Sequence, residues 1–101
     1  MTIEIKKAEN EVTIEVVGRL DTVTAPTLEK TIGENIAAVN SLILDLKGLE
    51  YISSAGLRVL LGAQKKMQHC GSMKLIGVCD DVMEIFEMTG FADILTIEKA
   101  L

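Results

Sequence analysis

The chain opens on two stretches in which apolar and polar residues alternate. Ile3 and Ile5 fall on one side, with Thr2, Glu4 and Lys6 on the other; Val12, Ile14 and Val16 then oppose Thr13 and Glu15. A period of two is the pattern of a half-buried strand. The short polar link Ala8-Glu9-Asn10 joins the pair as a hairpin. The period changes after Thr24-Ala25-Pro26. Thr24 is a capping residue type, and Pro26 suits a first helical turn, where its missing N–H is not needed. Leu28, Ile32, Ile36 and Val39 recur at helical spacing. Gly33 interrupts that helix at a cost of ~1 kcal/mol relative to alanine. Residues 41–46, SLILDL, are almost continuously apolar, which predicts a strand buried on both faces. A helix is predicted over 54–69, with Leu57, Leu60, Leu61 and Met67 inward and Gly71 as its stop. Residues 73–78, MKLIGV, read as another buried strand. Asp81-Val82-Met83-Glu84 reads as a capping box. The helix it opens buries Val82, Ile85 and Phe86 and ends at Gly90, and residues 94–97 form a last short strand or tail.

Strands that alternate with helices imply crossover connections and a largely parallel sheet, to which the first hairpin adds an antiparallel edge. The expected fold class is α/β: a mixed, mostly parallel sheet with an N-terminal antiparallel hairpin and about three helices. One domain is expected to span residues 1–101, since 49% hydrophobic residues suffice for one core of that size. Aromatics make up only 3%, so the core is aliphatic and platforms for stacking single-stranded nucleic acid are lacking. A net charge of −5 attracts neither phosphate backbones nor anionic lipid. Nucleic acid and membrane are therefore set aside as partners. Cys70, Cys79 and the single histidine, His69, make no zinc spacing, and no metal or cofactor is expected. The first ten residues lack the apolar core of a secretion signal. The expectation is a cytoplasmic protein with both thiols free, its cysteines and methionines serving as small or adaptable apolar filler.

Sheets of this kind carry function on loops beyond the carboxyl ends of their strands. Two such loops stand out, residues 18–24 and residues 47–55. In the second, Ser53 and Ser54 stand where a strand has ended and a helix begins. A helix start offers unpaired N–H groups and the positive end of a dipole. A hydroxyl there can cap the helix, and a phosphate added there finds donors ready. Both roles can coexist, with Ser53 capping and Ser54 modified. Gly56 either permits close packing or keeps the turn open to a partner.

The stretch Leu42–Leu61, LILDLKGLEYISSAGLRVLL, resembles the signature of the STAS domain, the anti-sigma factor antagonist family: an apolar strand, a turn of the form Asp-Ser-(Ser/Thr/Ala)-Gly-Leu, then a helix. Upstream, Gly18-Arg19-Leu20-Asp21-Thr22-Val23-Thr24-Ala25 resembles the family's Gly-x-Leu-Asp-x-x-Thr-Ala loop. Downstream, Met83–Ile97 is similar to its last helix and terminal strand. The three motifs are collinear and cover nearly the whole chain. The family's phosphorylated serine stands two before the glycine, which corresponds to Ser54. Its preceding aspartate is replaced by Ser53, a second candidate hydroxyl. The resemblance also implies that Asp21 takes part in recognition, although an aspartate in this position is ordinary turn chemistry as well.

What the resemblance implies is a switch. The unmodified chain would dock on an anti-sigma factor with serine kinase activity and so release a sigma factor. Phosphorylation would weaken the complex, and a serine phosphatase would reset it. The contact face expected on this basis comprises Asp21, Thr22, Ser53, Ala55, Gly56 and Arg58. Similar domains also serve as scaffolds of stress-signalling assemblies or subunits of lipid-transport complexes, and that alternative stays open here. No enzyme is expected. The only candidate base, His69, lies ~22 Å from Ser54 along a straight helix, too far to activate it.

Overall fold

A computed structural model describes residues 1–98; the last three positions of the expected 1–101 domain lie outside the described residues. The order is β1 (Thr2–Ala8), β2 (Glu11–Leu20), α1 (Ala25–Asn35), β3 (Ser41–Asp45), β4 (Leu49–Ile52), α2 (Ser54–Cys70), β5 (Ser72–Ile76), α3 (Asp80–Thr89), a 3-10 turn (Phe91–Asp93) and β6 (Ile97–Glu98). The strands form a mixed sheet in the order β1-β2-β3-β5-β6, with β4 attached to β2. Among the described residues only the β1–β2 hairpin is antiparallel. Its two-residue turn places Glu9 at φ 53°.

The core is aliphatic, as the composition requires, with Phe86 its one fully buried aromatic ring. The central strands, however, are covered on one face only. In β3 Leu42 and Leu44 are fully buried, whereas Ser41, Ile43 and Asp45 are half-exposed. β5 repeats the pattern, with Met73 and Leu75 inside and Lys74 and Ile76 half-exposed. The near-continuous apolar run of residues 41–46 therefore does not signify a strand sandwiched between two helical layers. Ile43 and Ile76 are apolar residues on an outer face that is otherwise polar or charged, where Lys47 bridges Glu15 and Asp45 at 3.4 Å each and Lys74 meets Glu98 at 3.2 Å. These surface pairs contribute little to stability.

Strand β4, read from sequence as loop, is a second correction. It is four residues long, and only Leu49 and Ile52 are buried. A strand that short carries no usable period. Its existence shows in pairing: β2 is ten residues long and runs past the end of β3, and its last three residues, Gly18, Arg19 and Leu20, pair with β4.

Helix ends differ from expectation in two places. Helix α1 stops at Asn35, so Val39 is buried from the following turn rather than from a helix. Helix α3 begins at Asp80 with Cys79 at its N-cap and no side-chain cap bond, so Asp81–Glu84 is not a capping box. Asp80 and Asp81 instead place negative charge at the positive end of the helix dipole. Helix α3 ends at Gly90, as predicted, and Gly90 takes the left-handed conformation at φ 81°. Helix α2 buries Val59, Ala63 and Gln64 as well as Leu57, Leu60 and Met67, because it packs against both α1 and the sheet; Leu61 is only half-buried. The filler reading of the cysteines holds for half-buried Cys79 but not for Cys70, which is exposed on the last residue of α2. Met88 is likewise exposed, at 79%.

Candidate functional site

The two loops singled out in the sequence meet at the carboxyl ends of β2 and β4. Because these strands run parallel, with Leu20 beside Ile52, their exits lie together. The Ser53 amide donates to the Leu20 carbonyl at 2.9 Å and joins the two exits directly. Above this junction the Arg19 guanidinium lies over the Tyr51 ring at 4.3 Å, a cation–π contact across the same strand pair.

The serines divide the work at the start of α2. Ser53 is the N-cap, with extended backbone, and its hydroxyl accepts from the Gly56 amide at 3.4 Å. Its carbonyl accepts the first helical bond, from Leu57, at 2.9 Å. Ser54 is the first helical residue and is exposed. Helix geometry leaves its amide and that of Ala55 without an intrahelical acceptor. Arg58, also exposed, stands one turn further along at the i+4 position, on the same side of the helix as Ser54.

Gly56 is buried. A β-carbon there would come within 2.8 Å of both Ile52 and Leu20 side chains, so the residue lets α2 settle onto the two strand exits. Of the two readings open in the sequence, close packing is the one observed. Gly56 supports the turn from beneath.

Asp21 organises the other loop. Its Oδ1 accepts from the Val23 amide at 3.0 Å, the Thr24 amide at 3.1 Å and the Thr24 hydroxyl at 3.1 Å. Thr24 was expected to cap α1 through its side chain. It sits at the N-cap position but makes no such bond; its hydroxyl oxygen accepts from the Asp21 amide at 2.8 Å, and its single proton is shared between Asp21 Oδ1 and the Arg19 carbonyl at 2.9 Å. The loop is thus a closed knot around one carboxylate, and it displays Thr22 and Val23 outward. Val23 is 84% exposed. Sequence reasoning passed it over as a residue within a motif, and only the knot beneath it shows that an apolar side chain is being held in solvent.

The Thr24 amide, with help from the Thr24 hydroxyl, the Val23 amide and the Arg19 charge, holds the Asp21 carboxyl below its ordinary value of 3.8. A carboxylate depressed by folding stabilises the native loop above its unfolded pKa, and the contribution fades as pH falls through the lower, folded pKa. Loop 18–24 is therefore expected to loosen only in acid, at pH values below 3.8. Asp21→Ala should reproduce the loosening at neutral pH. Amide hydrogen exchange at Val23 and Thr24 checks this: faster exchange in Asp21→Ala at pH 7 is the expected result, and unchanged protection would show that the carboxylate does not hold the loop.

His69 is exposed in the last turn of α2, with the continuous helix between it and Ser54. No helix among the described residues is long and apolar enough to cross a membrane.

Residues 2–101 match the profile of the STAS domain. The chain is 33% identical over 103 residues to the anti-sigma-B factor antagonist of Listeria monocytogenes, covering 98% of this chain and 90% of the relative. It is 29% identical over 98 residues to the protein of the same name from Bacillus subtilis, covering 96% and 90%. Among solved structures, an anti-sigma factor antagonist from Mycobacterium paratuberculosis superposes with a TM-score of 0.89 at 25% identity, covering 99% of this chain and 86% of that one. The unphosphorylated form of the anti-sigma factor antagonist SpoIIAA shares the fold, with a TM-score of 0.77 at 18% identity over 99% and 90% of the two chains. With its fold and nearly its full length in agreement, the chain belongs to the STAS domain family.

Proposed function

We propose that the protein is an anti-sigma factor antagonist that docks on a kinase-type anti-sigma factor and is switched off by phosphorylation of Ser54. The observation that carries this reading is the division of labour between the two serines. Ser53 is committed to the helix cap, whereas Ser54 is exposed at the helix start. A kinase can take the Ser54 hydroxyl without dismantling α2. The names of the curated relatives, anti-sigma-B factor antagonists, supply the class of partner.

The contact face combines the outward tip of loop 18–24, with Thr22 and Val23, and the start of α2, with exposed Ser54 and Arg58 and half-buried Ala55. Asp21, Ser53 and Gly56 act from behind this face by fixing the two backbones that present it. Phosphorylation adds about −1.5 to −2 charges at its centre. In the free protein that charge is tolerable, because the unpaired amides of the first helical turn and the Arg58 guanidinium are at hand. In the complex it must be desolvated or must face the partner's own groups, which is the source of the switch. A phosphatase would restore the docking form.

The test is incubation with the anti-sigma factor of the same organism and ATP, followed by mass mapping of the phosphopeptide. The expected result is one phosphate, on Ser54. Phosphate on Ser53 alone, or none with a kinase that is active on another antagonist, would overturn the assignment.

A further inference from the structure

Among the described residues β1 is the outermost strand of the sheet, paired to β2 on one side and free on the other. A free edge presents unpaired N–H and C=O groups to any extended strand. The side chains on this edge are unsettled too. Glu4 lies directly opposite Glu15 in the β1–β2 register, a like-charge neighbour that Lys47, 3.4 Å from Glu15, offsets only from the β3 side. Neither Glu4 nor Lys6 makes an ion pair among the described residues. On the opposite face of the same strand Ile5 is 42% exposed, although its cross-strand neighbour Ile14 is fully buried.

These features have one common solution. If a second β1 is laid antiparallel along the edge with a two-fold axis through Ile5, Ile5 meets its own copy, Glu4 faces Lys6 of the second copy and Lys6 faces its Glu4. The two unpaired charges neutralise each other twice, Glu4 gains a cation to offset Glu15, and the exposed isoleucines cover one another. Directly opposed residues lie on the same face of a sheet. The helices of both copies therefore fall on one side, and the sheet runs unbroken through the dimer. The contact is isologous, as a closed two-fold dimer requires.

We propose that the protein self-associates through β1 in this register. A seven-residue edge is smaller than the ~20–30 residues a side of a standard stable interface, so the dimer is weak, with a Kd on the order of 100 µM. β1 contains none of the residues of the serine turn, and the inference stands apart from the proposed switch.

The test is sedimentation velocity from ~10 µM to ~1 mM, a span that brackets the proposed affinity. The wild-type chain should show a sedimentation coefficient that rises with concentration. Glu4→Lys and Lys6→Glu, each alone, set like charges against each other twice and should weaken self-association by about 10-fold. Glu4→Lys also relieves the clash with Glu15, so loss of folding is not expected to mimic the effect. Mixing the two variants restores both opposed pairs, and the mixture should sediment as the wild-type dimer does. A wild-type chain that stays monomeric throughout, or a mixture that associates no better than either variant alone, would overturn the proposal.

Discussion

Ser54→Ala is expected to hold the anti-sigma factor as tightly as the wild-type chain while accepting no phosphate. The substitution removes an exposed hydroxyl and puts the best helix former in the first turn, so its effect on folding should stay within about 0.5 kcal/mol. Ser54→Glu carries one charge where phosphate carries nearly two, and it lacks the three acceptor oxygens. It should weaken binding about 10- to 100-fold, against about 100- to 1,000-fold for the phosphorylated wild type, corresponding to ~3–4 kcal/mol of desolvation and repulsion. Ser53→Ala separates the cap from the acceptor. It should cost about 1 kcal/mol of stability through loss of the bond to the Gly56 amide, yet still be phosphorylated. Calorimetric titration of the three variants and the phosphorylated wild type against the anti-sigma factor measures the series. Equal affinity for phosphorylated and unphosphorylated chains would remove the switch. Loss of phosphate from Ser53→Ala with retention in Ser54→Ala would exchange the roles of the two serines.

Much of this arrangement was legible in the chain before any coordinates, and the reasons are physical. Alternation in β1 and β2 and helical spacing in α1 and α2 are properties of single elements, and they appear directly in the residue order. The serine turn was visible through its resemblance to the family signature, because a serine at a strand-to-helix junction is by itself an ordinary helix cap. The misses share one trait: they depend on what lies across from a residue. SLILDL reads as doubly buried because Ile43 is apolar, and only the sheet's outer layer of charges shows that its face is open. β4 exists because β2 outlasts β3 and needs a neighbour. Gly56 packs rather than gapes because Leu20 and Ile52, both distant or modest in the sequence signal, converge beneath it. In Asp21 the turn-forming role is the one with geometry attached, and its part in docking passes through the loop it ties together.

Two glycine-to-alanine substitutions are expected to move stability in opposite directions, and the contrast isolates the same point. Gly33 lies in α1 with no heavy atom within 4 Å of where a β-carbon would sit. Gly33→Ala should therefore recover helix propensity and stabilise the protein by ~0.5–1 kcal/mol. Gly71 follows α2 with an extended backbone, at φ 164°, so alanine is not excluded by conformation. It is excluded by position, because a β-carbon there would fall on the Asn40 carbonyl. That carbonyl accepts from the Ser72 amide at 2.9 Å, and the Asn40 amide donates to the Asn10 carbonyl at 2.8 Å. The three residues bracket the amino ends of β2, β3 and β5, so the clash cannot be relieved by one side chain turning away. Gly71→Ala should cost about 3 kcal/mol through displaced backbone and strained hydrogen bonds. In a domain of this size that is a fall in Tm of roughly 12–24 °C, against a rise of roughly 2–8 °C for Gly33→Ala. The serine turn sits at the carboxyl ends of the strands, so Gly71→Ala should bind its anti-sigma factor normally at temperatures where it remains folded. Thermal unfolding followed by circular dichroism measures both shifts. A Gly71→Ala protein as stable as wild type would show that the approach of α2's end to Asn40 is not the tight contact described here.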